Sequence, residues 1–171
     1  MDAQQLHDYI IKPTLQYMGG NYYSKESAFL LLCTAAIESN CGQYIKQING
    51  PALGIWQMEP ATYDDIVDNS DAIKNPEFES LLCGLLPFNF YEVVDLGVST
   101  LIQSPMYACA MARLKYSMDP HPLPEFCGIT KLDLNSFYNY YKRVFNTELG
   151  ASTYAKWESA IDSNKIMGVK L

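Results

Sequence analysis

Positive charge is scarce in this chain. Twelve Lys and Arg stand against nineteen Asp and Glu, for a net charge of −7, and no basic cluster occurs. Without such a cluster there is no phosphate footprint, so a nucleic-acid partner is not indicated. An anionic cell wall or membrane would be recognised by shape, since charge gives no attraction. The five cysteines, Cys33, Cys41, Cys83, Cys109 and Cys127, are widely spaced and include no Cys-x-x-Cys pair. That disfavours a zinc site and a complete disulfide framework. Cys33 and Cys109 fall in apolar helical stretches and read as small core hydrophobes. Of the two histidines, His7 belongs to the first helix and His121 lies between two prolines. No Ser-His-Asp order and no glycine-rich phosphate loop appears, and no metal or organic cofactor is indicated. The apolar run over residues 28–37 is far too short to span a bilayer. The N-terminal Met-Asp-Ala-Gln-Gln has no basic and apolar signal pattern, so synthesis in a cytoplasm without an export address is expected.

What is present describes one globular unit. With 171 residues, 49% apolar and 18% charged, the chain suits a single domain over 1–171. Leu6, Tyr9, Ile10 and Leu15 have helical spacing interrupted by Pro13, which predicts a helix ending or bending near Lys12. Ser24 is placed to cap a second helix, apolar on nearly every face, that ends near Asn40 with Gly42 as its terminator. Residues 43–60, rich in glycine and proline, predict a small irregular or β insertion. A short helix over 62–69 capped by Thr62 follows, then irregular chain over 69–89. Helices are expected over 91–103, 105–118, 134–145 and 153–161, with a rigid proline loop at 120–124. The fold class is mainly α.

The chemistry concentrates in two places. Glu38 ends the apolar run, and a carboxylate near a buried segment is costly to ionise, so its pKa should rise. A raised carboxyl pKa suits a general acid that protonates a leaving oxygen. Further on comes Gly50-Pro-Ala-Leu-Gly-Ile-Trp-Gln-Met-Glu-Pro-Ala-Thr62, dense in glycine, aromatic, amide and carboxylate. Glu59 supplies the second carboxylate that glycoside cleavage uses as base or nucleophile. Asp64 and Asp65 are weaker candidates, because acids near a helix N-terminus have a structural reason to be there. Gln57 offers a donor and an acceptor to an acetamido group. Trp56 and Tyr44 offer stacking faces. Gly54 marks a backbone with positive φ or a close approach to ligand.

These residues resemble a known signature. Ile37-Glu38-Ser39, Gly54-Ile-Trp-Gln57 and Pro60-Ala-Thr62 are similar to the lysozyme-like lytic transglycosylases and goose-type lysozymes. The resemblance implies a lysozyme-like helical domain in which Glu38 is the catalytic acid, Ser39 its neighbour, and Gly54 and Gln57 part of the glycan groove. Val144-Phe145-Asn146 resembles a later Ala-Tyr-Asn motif, with Phe where that family has Tyr; Tyr140 or Tyr141 could then supply the hydroxyl. Glu59 stands where the goose-type enzymes carry an Asp with a base-like role. Longer strings, including Tyr141-Lys-Arg-Val-Phe-Asn-Thr-Glu-Leu-Gly150, look like wall-opening proteins of tailed bacteriophages.

The implied function is a phage-type peptidoglycan glycosidase acting on the N-acetylmuramic acid–N-acetylglucosamine linkage. Its partner is the glycan strand, with other virion proteins as a further class. The rival reading is a virion structural protein that keeps the fold without the activity, since fold does not establish chemistry. A glycan-binding module without catalysis is a third, set against the cost of desolvating Glu38.

Overall fold

The computed structural model describes residues 1–86, 97–126, 131–146 and 150–171. Nine α-helices occur among them: α1 Ala3–Leu6, α2 Lys12–Met18, α3 Lys25–Ser39, α4 Pro60–Asn69, α5 Pro76–Cys83, α6 Thr100–Gln103, α7 Pro105–Ser117, α8 Lys131–Tyr141 and α9 Tyr154–Ser163. The fold is mainly helical. Its only β pairing among the described residues is two isolated bridges, Lys46 with Leu53 and Leu53 with Met58.

The first helix does not end near Lys12; the irregularity there is a change of helical winding immediately before it. A π-helical turn over His7–Ile11 joins α1 to α2, and the Lys12 amide donates to the His7 carbonyl. That wide turn carries the chain past Pro13, which has no amide hydrogen to contribute.

Helix α3 forms the centre, and its residues from Ser27 to Ala36 are all buried. It opens on a reciprocal cap: Ser24 Oγ accepts from the Ser27 amide, and Ser27 Oγ accepts from the Ser24 amide. Thr34, the polar residue of the run, is satisfied inside the core. Its hydroxyl donates to the Leu30 carbonyl and lies 2.7 Å from the buried Tyr116 hydroxyl. The helix stops because Asn40, Cys41 and Gly42 all take left-handed backbone, with φ of 52°, 54° and 79°. The terminator therefore begins two residues before the glycine expected for it.

Two other expectations change. Helix α4 starts at Pro60, with Glu59 rather than Thr62 in the capping position and no side-chain cap bond. The stretch expected to be irregular contains α5, which Asn75 caps by accepting from the Glu77 amide. Pro76 stands in its first turn with Glu77 and Glu79, a helix-start pattern rather than a break. Part of the helix expected over 91–103 falls on 91–96, and Cys127 falls on 127–130, both outside the described residues; α6 is the portion seen. Helices α7 and α9 lie where expected, and α8 continues into a π-helical turn over Lys142–Asn146.

Candidate active site

Glu38 lies on the last turn of α3, where the buried helix reaches a cavity of about 520 Å³. One wall of that cavity comes from Ile37, Glu38, Gln47, Ala52, Gln57, Met58, Glu59 and Thr62. The rest of the lining is Tyr141, Phe145, Asn146, Gly150, Ala151, Ser152 and Lys156, from the C-terminal part of the chain. The volume falls in the range that small ligands or a few sugar rings occupy.

The Tyr141 hydroxyl donates to Glu38 Oε1 at 2.6 Å. The Tyr141 ring is fully buried, packed at 4.9 Å centroid distance on Trp157 and 6.3 Å on Phe145. The donor therefore has little freedom to leave the carboxyl. Burial raises the Glu38 pKa to about 7; the Tyr141 hydrogen bond pulls it down, and the charge of Glu59 pushes it up. Burial also pushes the Tyr141 phenol up, with the Glu38 carboxylate adding to the effect. Tyr141 thus keeps its proton and remains a donor.

Glu59 is exposed, at the cavity edge and immediately before α4. It is the second carboxylate of the cavity wall. Asp65 is engaged elsewhere, in a 2.9 Å ion pair with Lys115 that holds its carboxyl below the ordinary range.

The segment between the two glutamates is held by its own backbone. Leu53 and Met58 exchange amide–carbonyl bonds at 2.9 Å around the turn Gly54-Ile-Trp-Gln57. Gly54 has φ +77°, and a Cβ there would lie 2.9 Å from the Leu101 carbonyl oxygen. The expected positive φ holds, the close approach seen is to Leu101, and Gly54 is not among the residues lining the cavity. Gln57 also takes left-handed backbone, φ 44°, and its Nε2 donates to the Gly54 carbonyl at 2.7 Å. A non-glycine residue held there at a cavity wall is backbone strain kept by its surroundings.

The other expected contacts divide. Ser39 is buried and spent on the backbone: its hydroxyl donates to the Ile55 carbonyl and lies within bonding distance of the Ala35 carbonyl, and the Gly42 amide donates to it at 2.8 Å. It fixes the insertion against the end of α3. Trp56 is 1% exposed, and its Nε1 donates to the Leu31 carbonyl at 3.0 Å. This corrects the stacking-face expectation: the ring is core, and its polar edge caps an otherwise apolar helix contact. Tyr44 is exposed on the rim, outside the cavity wall, and its carbonyl accepts a 3.4 Å bond from Gln57 Nε2. Asn146 lines the cavity, with its Oδ1 accepting from Lys142 Nζ at 2.8 Å.

Of the two tyrosines considered as the hydroxyl source, Tyr141 reaches Glu38. Tyr140 donates instead toward the Tyr116 and His121 carbonyls. Thr62, the last residue of the Pro60-Ala-Thr62 motif, also lines the cavity, as do Gln47 and Lys156, two polar residues with no distinctive local pattern in sequence.

Among the described residues no group of three His, Cys, Asp or Glu side chains is placed to hold a metal ion, and no helix is long and apolar enough to cross a membrane. No protein-family model matches the chain, and neither does any curated protein or solved structure.

Proposed function

We propose that the protein is a glycosidase acting on peptidoglycan, with Glu38 as its general acid. One observation carries this reading: a mostly buried carboxyl with a pKa of about 7, held by a buried tyrosine, at a cavity that also presents a second carboxylate. Such a carboxyl keeps a large protonated fraction near neutral pH and can still lose its proton within the same range. The Glu38-Ser39 and Gly54-Ile-Trp-Gln57 motifs resemble those of lytic transglycosylases and goose-type lysozymes, which favours the muramic acid–glucosamine linkage as the bond cut.

In the proposed reaction the glycan lies in the cavity with its bridging oxygen against Glu38. Glu38 donates its proton to that oxygen as the C1–O bond breaks, and positive charge develops on the ring. The newly formed Glu38 carboxylate is stabilised by the Tyr141 hydroxyl. Glu59 takes a proton from the water that attacks C1, which yields a reducing end. Where the sugar's own 6-hydroxyl attacks instead, an anhydro end forms and the Glu38 carboxylate can accept the proton. The Gln57 amide, fixed by its bond to Gly54, lines the groove in which the acetamido groups lie.

The test is release of soluble fragments from purified peptidoglycan by the parent and by Glu38→Gln. Release by the parent alone is expected; equal release by both would remove Glu38 from the role.

A further inference from the structure

We propose that the rim loop over residues 44–48 is a recognition surface for the peptide stems of the glycan strand. This inference rests on the glycosidase reading and names a further part of its substrate.

Tyr44, Ile45 and Ile48 are large apolar side chains left 43%, 49% and 70% exposed within five residues of one another. A loop that packed only for stability would turn such groups inward. The loop is held in shape rather than free to fold them away. The Gln47 amide donates to the Ala52 carbonyl at 2.9 Å, and the Ala52 amide donates back to Gln47 Oε1. The Gly54 amide donates to the Ile45 carbonyl, and Gly50 leaves room that a Cβ would take from the Gln47 side chain.

The surface adjoins the cavity through Gln47, which belongs to both and is bonded to Ala52, a further cavity residue. A glycan strand seated in the cavity would therefore pass beside this rim, within reach of the substituents on its lactyl groups. Those substituents are short peptides with alanyl methyl groups and free carboxylates. The loop offers the complement: apolar faces together with the exposed ammonium of Lys46. In a chain of net charge −7, no Asp or Glu occurs between Glu38 and Glu59, so the loop itself carries no acid to repel a carboxylate.

The experiment compares cleavage of stem-bearing glycan strands with strands stripped of their peptides by an amidase. The enzymes are the parent, Ile48→Ser and Lys46→Gln; both changes lie on exposed side chains. The parent is expected to have a kcat/KM at least about tenfold higher on stem-bearing strands. Each variant should lose at least about threefold on those strands and change less than about twofold on stripped ones. Lys46→Gln alone should also flatten the dependence on salt. Equal rates of the parent on both substrates, or equal losses by the variants on both, would overturn the stem assignment and leave the glycosidase standing. Failure of the folded parent to cleave either substrate would overturn both.

Discussion

The Tyr141 hydroxyl donates to Glu38 Oε1 at 2.6 Å, across a sequence separation of 103 residues. The bond ties the end of the central helix α3 to the end of α8, and it couples the fold's packing to the candidate acid. The bond stabilises the charged form of Glu38, whereas burial and the charge of Glu59 stabilise the neutral form.

Replacing Tyr141 by Phe keeps the ring against Trp157 and Phe145 and removes only the donor. The Glu38 pKa should then rise, so the alkaline limb of the pH–rate profile should move to higher pH. kcat should fall about tenfold, equivalent to about 1.4 kcal/mol of barrier, because the carboxylate left by proton transfer loses its partner. A pH profile of wall cleavage decides this; an unmoved limb would mean that the bond does not act on Glu38.

Glu59→Gln should move the same limb the other way. Without the neighbouring negative charge, the proton on Glu38 is held less tightly and its pKa falls. Hydrolysis should also drop at least about tenfold, whereas anhydro-sugar formation should persist. A product assay run across pH reports both effects together.

Glu38 also makes stability depend on pH. In the unfolded chain its carboxyl titrates near 4.5, and in the folded protein at about 7. As pH rises between those values, the unfolded state loses its proton first, so folded stability declines through the window and levels off above it. The penalty at the plateau is roughly 3 kcal/mol. Glu38→Gln should therefore be more stable than the parent at about pH 8, with the two converging below about pH 4. Urea unfolding at both values checks the sign; a variant that tracks the parent at a constant offset would contradict it.

Gly54→Ala should cost more than Gly20→Ala. Both positions have positive φ, but nothing lies within 4 Å of a Cβ at Gly20, whereas one at Gly54 meets the Leu101 carbonyl oxygen at 2.9 Å. Strain alone costs about 1 kcal/mol, and the clash raises the Gly54 loss to roughly 2–4 kcal/mol. Thermal unfolding of the two variants gives the comparison.

Much of this was legible in local sequence. The apolar run before Glu38, the Ser24 cap, the Pro105 start of α7 and the glycine-rich insertion each announce themselves within a few residues. Glu38 stands out because it ends a run that has no other reason to carry a charge. The remainder depends on distant contacts, or on proline and glycine signals that fit more than one local structure. Tyr141 is one tyrosine among thirteen, and only the fold brings it to Glu38. Trp56 in a site-like segment looks like a stacking face until the Leu31 carbonyl is found under its indole. Pro13 signals an end or a bend near Lys12 without telling which, because a π turn leaves no mark in residue spacing. The stretch around Pro76 reads as irregular chain, although Asn75 before it and Glu77 after it form a helix start.

Mass spectrometry of the fragments released from purified peptidoglycan shows whether Glu38 cleaves a glycosidic bond. Parent protein should release muropeptides ending in a reducing or an anhydro muramic residue, and Glu38→Gln should release none. Reducing ends would assign Glu59 as base, and anhydro ends would assign the attack to the sugar hydroxyl. A folded parent that releases no muropeptides would contradict the account and favour a structural role for the domain.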